Sequence, residues 1–237
     1  MNKICVIIPT LNEEKNILKI YTKIKNTKIN LDILFVDDNS KDKSQKIIKQ
    51  LSKNNKKIKY LFRKKCGIGS AHKDGIKYCY KKRYETIITM DSDGTHDPIY
   101  FKKLLSASKK YDLVSTSRFN KKNLISDWPL SRKIITYARH YLIILFLSMR
   151  FDASGAFRCF KTKKIKLKDI LKARTNSYTF FWESLYILSI KKYTIHEISV
   201  RLIYRKLGNS KMKLYDIIFA FFYLINFFVI KRILKRY

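Results

Sequence analysis

Glycine, proline and acidic residues are scarce in this chain. Its 237 residues include 6 glycines, 3 prolines and 18 aspartates or glutamates. So little glycine and proline excludes a collagen-like or low-complexity chain and disfavours a β-sandwich with many tight turns. Hydrophobic residues make up 46% of the chain and charged residues 30%, which is too apolar a composition for a disordered protein. An α/β or all-α fold remains, with one domain or one domain and an appendage.

The sequence also lacks the cysteine and histidine spacings of common metal and redox sites. The cysteines, Cys5, Cys66, Cys79 and Cys159, form no CxxC pair, and the four histidines show neither HExxH nor HxxxH spacing. A zinc site, a redox dithiol and a histidine metal site are therefore disfavoured. We expect the cysteines to be reduced thiols in the core.

Basic residues outnumber acidic residues by 52 to 18, which gives a net charge of +34. Such a charge is typical of proteins that bind nucleic acid or an anionic membrane. The chain is also rich in lysine, isoleucine and asparagine throughout, and a compositional bias accounts for much of the charge equally well. No nucleic-acid-binding motif is present, and acidic residues follow the predicted strands where a phosphate backbone would have to lie. We therefore expect no nucleic-acid partner.

Apolar runs alternate with amphipathic segments over the first half of the chain. The predicted strands cover residues 3–8, 31–36, 58–62, 86–90 and 113–116. Strands that alternate with helices predict right-handed βαβ crossovers and an α/β fold, with a mostly parallel, Rossmann-like sheet flanked by helices. Ligands bind at the carboxyl ends of the strands in such folds, and the polar clusters of this sequence follow those ends.

Two carboxylates follow the fourth predicted strand. Asp91 and Asp93 are two residues apart, so both side chains point to the same side of an extended backbone. Such a pair can bind Mg²⁺ or Mn²⁺ and leave positions open for phosphate oxygens. An ordinary turn after a strand accounts for the same pattern equally well. An EF-hand is excluded, because its loop glycine and its last glutamate are missing.

The turns after the first three strands contain further candidate binding residues. Asn12 is expected to cap the first helix. Asp38 follows the second strand, where a carboxylate accepts hydrogen bonds from a ribose or a base, or caps the next helix. The turn at 67–69 could offer backbone N–H groups, including that of Gly69, to a phosphate. His72 replaces the last glycine of a dinucleotide-binding pattern, and no Walker A motif is present.

Arginines follow the fifth strand. If residues 130–149 form a helix, Arg132, Thr136 and Arg139 share one face of it, and Arg118 lies just upstream. The planar guanidinium group suits phosphate oxygens better than an ammonium group does. Because residues 141–147 are apolar, this arginine cluster suggests a phosphate attached to an apolar molecule. A solvated basic helix face is the alternative.

Seven motifs in this order resemble family 2 glycosyltransferases of the GT-A fold, in particular the polyprenyl-phosphate hexosyltransferases of the dolichol-phosphate mannose synthase type. The resemblance covers roughly residues 3 to 215. No single motif is distinctive, and the similarity depends on their order. The motifs are VIIPTLNEE, VDDNS, GIGSA, MDSDGTHDP, STSRF, SGAFRCF and RKLGNSKM.

The resemblance implies roles for individual residues. Asp91 and Asp93 would bind Mg²⁺ or Mn²⁺, while Arg118, Arg132 and Thr136 would bind the acceptor phosphate. Asp93, Arg118 and Arg132 would be the catalytic residues. The usual third metal ligand, a glutamine two residues after the second aspartate, is Thr95 in this chain. The nucleotide-sugar site would consist of Pro9, Thr10, Asn12, Glu13, Asp38, Gly69, Asp91, Ser92, Asp93, Arg205 and Lys211.

The implied reaction is an inverting hexose transfer from a nucleotide sugar, with GDP-mannose favoured, to a polyprenyl or dolichyl phosphate. Because a lipid phosphate is already anionic at neutral pH, the reaction needs no general base. The alternative is a glucosyl transfer from UDP-glucose to the same lipid, or another family 2 reaction in polysaccharide or glycolipid synthesis. The pocket residues do not discriminate between the bases or the sugars.

The sequence divides into a catalytic domain, residues 1–212, and a membrane-associating helix, residues 213–237. The first part includes an interfacial helix near 130–149. The apolar stretch 214–230 would span about 26 Å, less than the roughly 30 Å of a bilayer core, and basic residues flank it on both sides. We expect it to lie in the interface or to form a shallow hairpin, while a membrane span is marginal at this length; a core helix or a dimer contact is the alternative. Residues 1–9 lack a signal-peptide cleavage pattern, so we expect the cytoplasmic membrane face. A homo-oligomer or a small membrane partner stays open.

Overall fold

The computed structural model describes residues 3–64, 67–122, 124–204 and 211–234. These residues form a seven-stranded sheet in the order β3-β2-β1-β4-β6-β5-β7, with helices on both faces. The strands are β1 (Ile4–Thr10), β2 (Asp32–Asp37), β3 (Ile58–Phe62), β4 (Thr86–Thr89), β5 (Leu113–Ser117), β6 (Arg158–Lys161) and β7 (Ile195–Ser199). The helices are α1 (Glu14–Asn26), α2 (Ser44–Asn54), α3 (Ile68–Lys81), α4 (Phe101–Ala107), α5 (Leu130–Leu147), α6 (Leu167–Leu171), α7 (Phe180–Ile190) and α8 (Leu214–Leu234).

The two faces of the sheet carry separate hydrophobic cores. Successive side chains of a strand point to opposite faces, so β1 contributes Ile7 to one core and Ile8 to the other. Helices α1, α2 and α4 cover the Ile8 side. Helices α3, α6 and α7 cover the Ile7 side. Burial on both faces explains why the strands of the first half read as continuous apolar runs.

The predicted mostly parallel α/β fold is confirmed. Strand β1 pairs in parallel with both β2 and β4, β2 pairs in parallel with β3, and β5 with β7. The sequence pattern did not predict β6 and β7. Strand β6 is antiparallel to both of its neighbours, β4 and β5, so it joins the parallel half to the rest of the sheet.

Two possible helix caps are not formed, and the expectation for the cysteines holds in part. Asn12 does not cap α1, which begins at Glu14; its Oδ1 instead accepts a hydrogen bond from the backbone N–H of Lys41 at 2.7 Å. Asp38 does not cap α2, because that helix begins at Ser44, whose N–H donates to Asp42. Cys5, Cys79 and Cys159 are buried free thiols as expected, whereas Cys66 lies outside the described residues.

Helices α5 and α8 pack against one another, with the rings of Phe146 and Phe228 5.2 Å apart. Leu224 and Phe227 on the inner side of α8 are buried, and Phe227 contacts Trp182 of α7. Over Leu214–Lys231 the mean hydropathy is 1.8 and 11% of the segment is buried, so by length and composition α8 could cross a membrane. We call the outward side chains of the two helices the apolar face: Leu130, Ile134, Tyr141, Leu145, Leu214, Ile218, Phe221 and Phe222.

Candidate active site

Two adjoining cavities open at the carboxyl ends of the parallel strands. The larger has a volume of about 630 Å³ and the smaller about 240 Å³. Asp91, Asp93 and Arg132 line both cavities, so they lie where the two meet. A molecule in one cavity can therefore react with a molecule in the other at this junction.

The larger cavity contains most of the residues that the resemblance assigns to the nucleotide sugar. Asn12 is not among the lining residues, but its carbonyl oxygen lies 3.4 Å from Lys211 Nζ. Arg205 falls outside the described residues, as does the rest of segment 205–210. The assigned residues that line this cavity are Pro9, Thr10, Glu13, Asp38, Asp91, Ser92, Asp93 and Lys211.

Gly69 does not have the role expected of it, which was to offer its backbone N–H group to a phosphate. Its N–H donates to the carbonyl oxygen of Asn176 at 2.9 Å, so this N–H is not offered to a phosphate. A Cβ at position 69 would lie 2.6 Å from the carbonyl oxygen of Ser177, which is closer than real Cβ contacts. Only glycine allows α3 to approach the 176–177 segment this closely. Gly69 itself does not line the cavity, whereas its neighbours Gly67 and Ile68 do.

Asp38 is held at the larger cavity by Arg63, a residue that the sequence analysis did not single out. Arg63 donates from Nη2 and Nε to Asp38 Oδ1, at 2.6 and 3.0 Å, and from Nη1 to Asp74. The N–H of Gly67 donates to Asp38 Oδ2 at 2.6 Å. The neighbouring Asp37 accepts hydrogen bonds from Thr10 and Ser40 within the loops. The second aspartate of the pair therefore faces the ligand space, and the first stabilises the turn.

Thr95 supports Asp93. Its backbone N–H and its hydroxyl both donate to Asp93 Oδ1, at 3.0 and 2.7 Å. The N–H of Asp91 donates to His96 Nδ1 at 2.9 Å, and burial lowers the pKa of His96 to about 4. His96 is therefore neutral at pH 7 and accepts this hydrogen bond. Thr95, which replaces the glutamine that the resemblance would place here, therefore orients the carboxylate of Asp93.

The donor set of this junction suits a hard divalent cation. Magnesium and manganese prefer carboxylate oxygens, and Mg²⁺ is commonly bound by one or two carboxylates together with substrate phosphates. Asp91 and Asp93 provide two such groups on the surface of the cavities. Across the part of the chain that the structure describes, no group of three or more His, Cys, Asp or Glu side chains is placed to hold a metal ion. A cation here would therefore complete its shell with phosphate oxygens and water.

Arg118 lines the smaller cavity and forms an ion pair with Asp152. Asp152 Oδ2 accepts hydrogen bonds from both the Nε and the backbone N–H of Arg118, at 2.7 and 3.1 Å. Although burial opposes it, Arg118 holds the pKa of Asp152 below its ordinary value. Asp152 was not predicted as a site residue, because a single acidic residue in a turn carries no pattern. Thr136 and Arg139 also line this cavity.

The amino-terminal turns of α8 form part of the larger cavity. Tyr215, Asp216 and Phe219 line it together with Lys211 and Met212. Ile217 lines the smaller cavity beside Ile135 of α5. Helix α8 is therefore part of the site as well as an apolar helix, which the division of the sequence at residue 212 did not anticipate.

Comparison with known proteins gives one family and a consistent set of relatives. Residues 5–174 match the family described as glycosyl transferase family 2. An undecaprenyl-phosphate mannosyltransferase of Micrococcus luteus is 26% identical over 212 residues, covering 89% of this chain and 87% of that protein. A polyprenol monophosphomannose synthase of Mycolicibacterium smegmatis is 26% identical over 215 residues, covering 87% of this chain and 80% of that protein.

A solved structure supports the fold. Glucosyl-3-phosphoglycerate synthase from Mycobacterium tuberculosis, in complex with Mn²⁺, uridine diphosphate and glucosyl-3-phosphoglycerate, superimposes with a TM-score of 0.68. The alignment covers 98% of this chain and 80% of that chain, at 14% identity. At this identity the likeness concerns the fold, which is of the GT-A type.

Proposed function

Since this chain belongs to glycosyltransferase family 2, we propose that it transfers mannose from GDP-mannose to a polyprenyl phosphate. The observation that carries the proposal is the pair of cavities that meet at Asp91, Asp93 and Arg132. One cavity has the size and the carboxylates for a nucleotide sugar, and the other is lined by arginines. Both relatives named above are polyprenyl-phosphate mannosyltransferases by name.

The reaction requires positioning more than proton transfer. An oxygen of the lipid phosphate attacks the anomeric carbon of mannose and forms a new C–O bond. The bond from that carbon to the diphosphate breaks, and its electron pair leaves with the nucleoside diphosphate. Attack opposite the leaving group inverts the anomeric carbon. The attacking oxygen carries no proton, so no general base is needed, and the two reactants must be held in line.

In the larger cavity, Asp38 would hydrogen-bond the nucleoside, and Lys211, which lines the same cavity, would bind the diphosphate. Asp91 and Asp93 would hold Mg²⁺ or Mn²⁺, which supplies positive charge to the leaving diphosphate. Thr95 keeps Asp93 oriented toward the ligand space through two hydrogen bonds. Arg205 is proposed to bind the diphosphate on the strength of the family resemblance alone.

In the smaller cavity, Arg118, Arg132 and Thr136 bind the acceptor phosphate. Asp152 holds the guanidinium of Arg118 in place, while Arg132 lies at the junction and can reach the reacting oxygen. The ring of Tyr204 lies 5.5 Å from the Arg132 guanidinium and limits its freedom. The phosphate is thereby placed beside the anomeric carbon of the donor.

The apolar face explains how a lipid reaches this cavity. Ile135 and Ile217 line the smaller cavity and belong to the same two helices that carry the apolar face. We propose that the apolar face of α5 and α8 lies in the membrane interface on the cytoplasmic side, with the polyprenyl chain in the acyl region. Basic residues at both ends of α8 would contact anionic headgroups.

A donor screen tests the proposal. The full-length chain in detergent is incubated with a polyprenyl phosphate, Mg²⁺ or Mn²⁺, and either GDP-mannose or UDP-glucose. We expect a mannosylated lipid phosphate with inverted anomeric configuration, and little product from UDP-glucose. If only glucose were transferred, the proposed lipid acceptor would be correct and the proposed donor, GDP-mannose, would be wrong. Sugar transfer only to a soluble acceptor would contradict the proposal.

A further inference from the structure

The smaller cavity contains more positive charge than its neighbouring carboxylate offsets. Arg118, Arg132 and Arg139 all line it. Arg118 is paired with Asp152 through both its side chain and its backbone. Arg132 and Arg139 form no ion pair and donate no side-chain hydrogen bond within the described ranges. Two cationic groups thus remain for whatever enters this cavity.

Arg139 lies on one face of α5, in the second half of the helix. It follows Arg132 by two helical turns and Thr136 by one, so the three side chains point the same way. Its Nε is buried and has no hydrogen-bond partner among the described residues. Burial first and the charge of Arg118 second lower the pKa of Arg139 to about 10, while the charge of Asp152 acts in the opposite direction, and Arg139 stays protonated at neutral pH.

A partly buried cation that has neither an ion pair nor a hydrogen bond from its buried Nε is unfavourable in the fold, so such a residue is expected where a ligand provides the missing anion. Asp91 and Asp93 also line this cavity, but in the proposed function their negative charge is offset by the divalent cation that they would hold against the donor diphosphate. Asp152 is already occupied by Arg118. The positive charge that remains to bind the acceptor is therefore that of Arg132 and Arg139.

A phosphate monoester carries between about 1.5 and 2 negative charges at pH 7, because its second pKa is near 6, whereas a phosphodiester carries one. We propose that Arg139 is a specificity-determining residue of the acceptor subsite, which selects a doubly charged phosphate monoester over a singly charged phosphodiester. This inference rests on the proposed function, since it takes the smaller cavity as the acceptor site. The lipid substrate is a monoester and the glycosylated product is a diester, so the same residue favours binding of the substrate and release of the product.

The test compares farnesyl phosphate with its methyl ester, a matched pair that differs in one negative charge. Each is titrated into the full-length chain in detergent, for wild type, Arg139→Gln, Arg139→Lys and the control Arg150→Gln. Arg150 is exposed and lies outside both cavities. We expect wild type and the control to prefer farnesyl phosphate by tenfold or more. In Arg139→Gln the affinity for farnesyl phosphate falls about ten- to hundredfold, and that for the methyl ester falls less than about threefold.

Arg139→Lys keeps the charge without the planar guanidinium group, so it should retain part of the preference. Thermal unfolding without ligand separates recognition from structure. Because Arg139→Gln removes a partly buried charge that has no ion pair, its Tm should equal or exceed that of wild type. A lower Tm together with equal losses of affinity for the two probes would mean that Arg139 has only a structural role, and would overturn the inference.

The same titrations distinguish this inference from the proposed function. If wild type transfers mannose to polyprenyl phosphate and Arg139→Gln keeps the full preference for the monoester, the inference is wrong and the function stands. If wild type neither binds farnesyl phosphate nor uses a lipid phosphate acceptor, the proposed function is wrong and the inference falls with it.

Discussion

Arg118 and Asp152 form a buried bidentate ion pair, with Nε 2.7 Å from Oδ2 and Nη2 3.2 Å from Oδ1. Arg118 follows β5, and Asp152 lies in the loop between α5 and β6. The N–H of Asp152 in turn donates to Glu197 Oε1 of β7 at 2.6 Å. Asp152 thus holds Arg118, and Glu197 holds Asp152, before any ligand binds. Because the side chain of Arg118 is already ordered, less conformational entropy is lost when it binds a phosphate.

Asp152→Asn should destabilise the fold and weaken acceptor binding. Breaking a buried ion pair leaves an uncompensated charge, which costs about 3–5 kcal/mol. We expect this loss in denaturant unfolding and a raised KM for polyprenyl phosphate, with donor affinity near wild type. Glu85→Gln, which breaks the surface pair with Lys163, is the control and should leave stability nearly unchanged. A stable Asp152→Asn variant with unaltered acceptor KM would contradict the assignment.

Glu197→Gln should stabilise the protein at alkaline pH. Burial first, and the Asp152 charge among other causes, raise the pKa of Glu197 to about 7. A carboxyl whose pKa is raised on folding binds its proton more tightly in the folded state, so stability falls as pH rises from about 4.5 to 7. Relative to wild type, the variant should gain about 1–2 kcal/mol at pH 8 and little at pH 5. Unfolding curves whose difference is the same at both pH values would exclude this effect.

Asp93→Asn should abolish most sugar transfer while leaving the fold intact. An amide is a poorer ligand than a carboxylate for Mg²⁺ or Mn²⁺, so turnover should fall by orders of magnitude. A chelator should have the same effect on wild type, reversed by adding back the cation. Asp97→Asn is the control, because Asp97 lies outside both cavities. Transfer that survives both the chelator and the Asp93 substitution would make these carboxylates turn residues.

Arg132→Ala should affect the acceptor more than the donor. Losing a charge-assisted hydrogen bond to phosphate costs about 1.5–3 kcal/mol, or roughly ten- to hundredfold in apparent affinity for polyprenyl phosphate. Arg132→Lys should recover only part of this loss, because it restores charge without the planar donor geometry. The measurement pairs acceptor kinetics with donor calorimetry. Losses of the same size for both substrates would contradict the assignment of Arg132 to the acceptor phosphate.

Ile218→Asp combined with Phe222→Asp should reduce binding to anionic vesicles. Both side chains are exposed on the apolar face, so the substitutions remove interfacial contacts without entering the core. Substitution is preferable to deletion of α8, because Leu224 and Phe227 are buried. Ile99→Asp, at an exposed apolar position away from α5 and α8, is the matched control. Full vesicle binding by the double variant would assign the apolar face to another partner.

The strands of the parallel half could be located from sequence because their signal is local. Residues 58–62 were predicted as a strand and form β3 with the same bounds, and 86–90 corresponds to β4 at Thr86–Thr89. Strand β6 escaped detection because it begins with Arg158, a buried charge whose partners are the carbonyl oxygens of Ala153 and Phe181. Phe181 lies 23 residues from Arg158 in the chain, so the sequence around β6 gives no sign that this arginine is buried.

The candidate site was predictable to the extent that it follows the strand ends. Parallel strands bring their carboxyl ends to one edge, so Asp38, Asp91 and Asp93 were expected together, and they line one cavity. Arg63, Asp152 and the close packing at Gly69 were not predictable. Each depends on a contact between loops that are distant in the chain, such as the 34 residues between Arg118 and Asp152.

The sequence by itself determined the alternation of strands and helices, the polar residues at the strand ends and the order of the family motifs, because these depend on local periodicity and residue chemistry. Only the tertiary structure decided which groups face ligand space and which are consumed by partners. It assigned Asp37 to a turn and Asp38 to the cavity, paired Arg118 with Asp152 and left Arg139 without an ion pair among the described residues. The physical reason is that a charge's availability depends on its neighbours in space, and those neighbours come from loops whose approach is determined by packing across the whole sheet.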